Sequence, residues 1–184
     1  MNLLRVKDHV LEDFMALELV TPRLRLVPVS AVFATAILRE FSPEITQYMT
    51  PDTPQKLSDV SSFVEDSVAD MQAGKEIMLA ITDVRTHDFI GICCCAAKDA
   101  PHTPELGVWV KKSAHGKKFG LESVTTLVSW AKENLNYDFL IYPVDRANIA
   151  SRKIPEALGG EIVAEKPLET QSGIPLDGLI YKIH

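Results

Sequence analysis

Residues 105–123 read ELGVWVKKSAHGKKFGLES, and this stretch decides the fold. Glu105 to Lys111 is short, apolar and β-branched, the pattern of a strand. After it, Leu121, Val124, Leu127, Val128, Ala131 and Leu135 recur at helical spacing, which predicts a helix ending near Leu135. Between strand and helix lies His115-Gly116-Lys117-Lys118-Phe119-Gly120. The first turn of a helix has unpaired backbone N–H groups and the positive end of the dipole, so it can receive a phosphate. Gly116 and Gly120 let a ligand approach the backbone. Lys111, Lys112, Lys117 and Lys118 add positive charge. A pyrophosphate with a ribose phosphate is a natural guest. The same residues also suit a solvated basic turn whose glycines serve geometry alone. The loop matches neither GxxxxGK[ST] nor GxGxxG, which argues against nucleotide hydrolysis and dinucleotide binding.

Upstream, residues 1–18 fit either an amphipathic helix or a loose arm, with Val6, Val10, Leu11, Phe14 and Leu17 apolar. TPRLRLVPV (residues 21–29) alternates as a half-exposed strand. Ser30 is placed to cap a helix through Phe41, and Pro43, Pro51 and Pro54 punctuate a connection. Ser58 to Ala73 predicts a second helix with Val60, Phe63, Val64, Val68 and Met71 as its stripe, ended by Gly74. Ile77–Val84, Phe89–Ala97 and Glu105–Lys111 follow as strands with short connections, hence antiparallel. Downstream come a strand over Phe139–Val144, a short helix from Asn148 to Leu158 closed by Gly159-Gly160, and strands at Ile162–Ala164 and Leu179–Ile183. The order predicts an α+β fold, a mixed, mostly antiparallel sheet flanked by helices. The domain spans 21–184, preceded by an arm or helix over 1–20.

Composition narrows the function. Across 184 residues, 46% are hydrophobic and 24% charged, an ordinary globular balance. A net charge of −6 argues against nucleic acid as the partner. No segment has the apolar length of a membrane span or a signal peptide. The three cysteines, Cys93 to Cys95, are consecutive, so neighbours point to opposite sheet faces and lack zinc-site spacing. They read as small apolar residues of a buried strand. Free thiols imply a reducing compartment, hence a cytoplasmic protein.

The segment LGVWVKKSAHGKKFGLES resembles the acyl-CoA-binding motif of GNAT N-acetyltransferases, a pattern of Arg or Gln, two residues, Gly, one residue, then Gly or Ala. Its positions fall on His115, Lys118 and Gly120, so His replaces Arg or Gln and Lys replaces Gly. Two further stretches are similar to the family: Asn148-Ile149-Ala150-Ser151 with Ala157-Leu158-Gly159-Gly160, and the opening TPRLRLVPVS, which resembles the branch that acetylates ribosomal-protein N-termini. The resemblance covers roughly residues 20–183.

The resemblance implies a GNAT fold and transfer of an acetyl group from acetyl-CoA to a primary amine, a small molecule or a protein N-terminus. It places the pantetheine arm along Val108 and Val110, and the pyrophosphate on His115, Gly116, Lys117, Lys118, Phe119, Gly120 and Leu121. It implies Glu105 as general base, Ser151 beside the thiol as general acid or holder, and Asn148 on the pantetheine. Glu105 also reads as a solvent-exposed strand start, and Asn148 as a helix N-cap. The late helix has no Tyr for the general-acid role that many members give it. Pro155 inside that helix can distort it. Trp109, Trp130, Tyr48 and Tyr137 are acceptor-pocket candidates, although Trp130 fits the helix core better. No metal ligand set is apparent. The N-terminal arm and an edge strand are available for a homodimer contact. The altered loop and absent Tyr leave an inactive CoA-binding sensor or partner as the alternative.

Overall fold

The computed structural model describes residues 3–8, 13–98 and 100–184. Among the described residues, eight strands form one sheet: β1 (Leu19–Val20), β2 (Leu24–Pro28), β3 (Glu76–Asp83), β4 (Phe89–Ala96), β5 (Glu105–Val110), β6 (Leu140–Asp145), β7 (Glu161–Leu168) and β8 (Leu176–Ile183). Their spatial order is β1-β2-β3-β4-β5-β6-β8-β7. Every neighbouring pair is antiparallel except β5 and β6. The helices are α1 (Ala34–Glu40), α2 (Pro43–Thr46), α3 (Leu57–Gln72), α4 (Phe119–Asn134) and α5 (Ile149–Ala157). The α+β expectation holds.

Strand alternation divides the apolar side chains between two faces. On one, Leu79, Cys93, Leu106, Leu140 and Tyr142 pack with Val124, Leu127, Val128 and Ala131 of α4. On the other, Ala80, Ile92 and Trp109 pack with Ile37 of α1, Ile45 of α2, and Val60 and Val64 of α3. Phe63, expected in the α3 stripe, stands 36% exposed. Its position turns away from the line set by Val60, Val64 and Met71, which are buried. Gly74 ends α3 at φ +73°, as its placement predicted.

Three local expectations are corrected. The stretch after Ser30 opens as a 3-10 turn, Ala31–Phe33, and Ser30 makes no side-chain capping bond. The proline-punctuated connection holds α2, with Pro43 in its first turn, where a missing N–H costs nothing. The described part of residues 1–18 forms no α-helix and is docked rather than loose; Val10 and Leu11 lie outside the described residues. Val6 bridges Leu135, Lys7 N–H donates to Asn134 O at 2.9 Å, and Asn136 N–H donates to Arg5 O at 2.6 Å. Phe14, in a 3-10 turn, is 2% exposed and meets the Trp130 ring edge-on at 6.1 Å. Phe14→Ala is expected to destabilise the fold by about 3–5 kcal/mol, read by denaturant unfolding. A loss under about 1 kcal/mol would make this segment dispensable.

Candidate active site between β5 and β6

Two parallel strands normally share an unbroken ladder. Here, among the described residues, β5 and β6 share a single partner pair, Glu105 with Ile141. Lys111 N–H donates to Ile90 O on β4, whereas Pro104 O accepts from Ile141 N–H on β6. Backbone groups alternate in direction along a strand, so odd-numbered residues of β5 bond toward β4 and even-numbered ones face β6. Val108 and Val110 therefore present backbone into a gap that widens toward the C-terminal ends of both strands. An extended ligand with amide groups can occupy such a gap as an added strand.

The basic loop stands at the mouth of this gap. Gly116 has φ +76° and Lys118 has φ +62°, so the chain turns twice through left-handed conformations before α4. Lys118 occupies the position where the family pattern has Gly, and it keeps a backbone that favours glycine, at a cost of about 1–2 kcal/mol. Glu122 N–H donates to Lys118 O at 3.0 Å, and Lys118 makes no side-chain cap. The N–H groups of Phe119, Gly120 and Leu121 precede this first helical bond and are free for an anion. Arg23 braces the loop: its Nε donates to Glu122 Oε2 at 2.7 Å, its Nη1 to Lys117 O at 3.1 Å, and its guanidinium lies over the Phe119 ring. Lys112 pairs with Glu44 of α2 at 2.5 Å, whereas Lys111, Lys117 and Lys118 have no ion-pair partner among the described residues. His115 is exposed, and its ring Nε2 lies 2.7 Å from Val110 O. A carbonyl only accepts, so Nε2 carries the proton there, and this ring nitrogen closes the loop rather than facing a phosphate.

On the face of α1–α3, Glu76, Cys94 and Glu105 stand close together. Ala96 pairs with Glu76 on one side and Glu105 on the other, and Cys94 pairs with Gly107. A Cβ at Gly107 would lie 2.9 Å from Cys94 Sγ, so the glycine makes room for the thiol. Burial, with Glu76 and Glu105 nearby, pushes the Cys94 thiol up to about 12. Glu105 forms an ion pair with Lys98. Burial raises the Glu76 carboxyl above its ordinary range, with Ser67 partly offsetting it. A carboxyl with a raised folded-state pKa stabilises the fold below its unfolded pKa, and that contribution is lost as pH rises through the folded value. Glu76→Gln is thus expected to raise Tm at neutral pH and to raise it less at about pH 4, by thermal unfolding at both. Equal shifts would remove the charge from the explanation.

On the other face, α5 begins at Asn148, whose side chain accepts from Ser151 N–H at 3.2 Å. Asn148 is therefore an N-cap, as one of its two readings had it. Ser151 Oγ lies 2.8 Å from the hydroxyl of Tyr142. Tyr142 is 2% exposed, and burial pushes its hydroxyl up to about 12. Pro155 has no N–H to return to the Ser151 carbonyl. Ile154, one turn on from Ser151, reaches toward Gly120, where a Cβ would lie 3.3 Å from Ile154 Cδ1 and 3.6 Å from Val110 Cγ2. The structure thus brings Val108, Val110, Gly120 and α5 around one gap.

A family model described as "Acetyltransferase (GNAT) domain" matches residues 23–161. The chain belongs to the GNAT acetyltransferase family. It is an acetyl-CoA-dependent N-acetyltransferase, so the gap lies in a fold that uses this cosubstrate. Among solved structures, the Microcin C7 self immunity acetyltransferase MccE in complex with acetyl-CoA and AMP is similar at TM-score 0.77, with 18% identity over 88% of this chain and 92% of that one. The Salmonella typhimurium acetyltransferase that modifies the N-terminal serine of 50S ribosomal subunit protein L7/L12 is similar at TM-score 0.76, with 15% identity over 88% and 95%. A Bacillus anthracis GNAT family acetyltransferase is similar at TM-score 0.76, with 14% identity over 91% and 98%. At these identities the likeness is one of fold. A comparison with curated proteins by sequence gave no match.

Not every anticipated side chain reaches the GNAT gap. Trp109 is 9% exposed and stacks with Phe41 and Phe89 in the core, so it does not line an acceptor pocket. Trp130 and Tyr137 are partly buried and pack on the α4-side core, while Tyr48, between α2 and α3, is half-buried. Sequence reasoning missed Glu76 and Tyr142. The one available signal for Tyr142 was its alternation with Leu140 and Val144, which marks an inward-facing tyrosine on the strand before α5.

Proposed function

We propose that this enzyme acetylates the N-terminal amine of a protein or peptide, with acetyl-CoA held in the gap between β5 and β6. The observation carrying the reading is the splay itself: beyond Glu105 and Ile141, β5 has no strand partner on that side among the described residues. The pantetheine pairs with Val108 and with the N–H of Val110, whose carbonyl His115 already meets, and the pyrophosphate sits on residues 116–121. An amine arriving on the face of α1–α3 meets Glu105 at the apex of the splay. It attacks the thioester carbonyl as its proton passes to Glu105, directly or through water. The C–S bond breaks with its electron pair on sulfur, beside the Ser151 hydroxyl. An acceptor ammonium can replace Lys98 as the partner of Glu105 before it loses its proton.

The acceptor class is supported by the rim of that face and by the activity named for the Salmonella structure. The β7–β8 turn reaches the loop after α2: Gln171 N–H donates to Thr50 O at 3.0 Å, and Asp52 N–H donates to Gln171 Oε1 at 2.9 Å. These two segments frame an approach for a chain end. A thiol-release screen tests the proposal, with peptides bearing free or blocked N-termini set against polyamines and amino-acid derivatives. Turnover on free N-termini alone supports it, and turnover confined to small amines contradicts it.

The proposal extends to assembly and location. A homodimer contact is assigned to edge strand β7, where Ile162 and Val163 are 45% and 52% exposed. Among the described residues no helix is long and apolar enough to cross a membrane. Residence in the cytoplasm is proposed from the free thiols. Sedimentation across concentration tests the dimer, and a monomer throughout removes it.

A further inference from the structure

We propose that Tyr142 is a positioning residue for the transfer: its hydroxyl donates to Ser151 Oγ and so aims the Ser151 O–H at the sulfur of the cosubstrate. This rests on the acetyl-CoA reading of the β5–β6 gap. Tyr142 follows Ile141, the β6 residue that makes the last pairing with Glu105, so it stands where the two strands part. Alternation turns it to the face of α4 and α5, where it is buried and reaches Ser151 at 2.8 Å. A serine hydroxyl has one proton and two lone pairs. The phenol is the more acidic partner, and burial keeps it protonated, so it is the natural donor of the pair. With that bond made, the Ser151 proton has to point elsewhere. The β8 neighbour provides a contrast. Tyr181, the register partner of Tyr142, donates to Glu156 at 2.8 Å and accepts from Arg152, so it anchors α5 without touching Ser151. Two buried tyrosines thus hold one short helix, and one of them also sets a hydroxyl at the apex of the gap.

The departing sulfur is a thiolate, and an O–H aimed at it stabilises the anion. This state is accessible without any acceptor, because free CoA carries the same thiol. The experiment is a pH titration of the ultraviolet thiolate absorbance of CoA bound to the full chain. It compares the wild type, Tyr142→Phe, Ser151→Ala, the double variant and Tyr181→Phe. Bound CoA is expected to ionise at lower pH in the wild type than in Tyr142→Phe or Ser151→Ala. Each is expected to raise the midpoint by about one pH unit, a tenfold change in thiolate at fixed pH. The double variant should add nothing, and Tyr181→Phe should titrate as wild type. A Tyr142→Phe protein that binds CoA and titrates as wild type overturns the inference, as does an equal shift in Tyr181→Phe, which would mark simple anchoring of α5. CoA that fails to bind the wild type sinks the underlying reading, a result distinct from either.

Discussion

Gly120→Trp is expected to abolish saturable binding of acetyl-CoA while the fold persists. A single added Cβ at this position would already lie 3.3 Å from Ile154 Cδ1, 3.6 Å from Val110 Cγ2 and 3.9 Å from Val108 Cγ2. The flexible end of Ile154 can give way for a methyl group. An indole has nowhere to go but the gap itself, where it blocks both the backbone of β5 and the first turn of α4. The expected loss of affinity is at least about 100-fold, or ~2.7 kcal/mol. Gly120 is half-buried beside an open gap between strands, so far-ultraviolet circular dichroism should be little changed. Unchanged affinity in a folded variant would remove the loop from the account.

Glu105→Gln is expected to lower kcat by about 100-fold, within the range for loss of a general base, with acetyl-CoA affinity unchanged. Glu105 faces α1–α3, opposite α4, yet belongs to the last pair before the strands part. It can therefore meet an amine on one face while the thioester lies in the gap. Glutamine keeps the shape and loses the proton acceptor. Its ion pair with Lys98 is lost as well. That exposed pair contributes little to stability, so the expected effect is on turnover rather than folding. Full activity would release Glu105 from the role and leave Glu76, on the same face, as the next group to replace.

The fold was legible because its local signals agree. The meander of β3, β4 and β5 alternates, the α4 stripe has helical period, and Gly74 and Gly159 end their helices. What was hidden depended on tertiary contact. The Val6 bridge to Leu135 joins segments far apart in sequence, so the arm gave no strand signal of its own. The splay is equally invisible in one strand, because Val108 and Val110 read as ordinary β residues whether or not a neighbour pairs with them. His115 was expected at a phosphate, but the loop folds back and its ring nitrogen meets Val110 O. Lys118 looked like a break in the family pattern, yet the backbone adopts the left-handed turn regardless. Asn148 and Ser151 were singled out by motif, and the structure shows the first capping α5 and the second beside Tyr142. Tyr142 was missed because its importance comes from what it touches, not from its spacing.

Isothermal titration of acetyl-CoA into the purified protein tests the central claim, that the gap between β5 and β6 with the loop before α4 holds the cosubstrate. Saturable binding near one per chain is expected in the wild type and none in Gly120→Trp. No binding to folded wild-type protein, or equal binding to both, would contradict it.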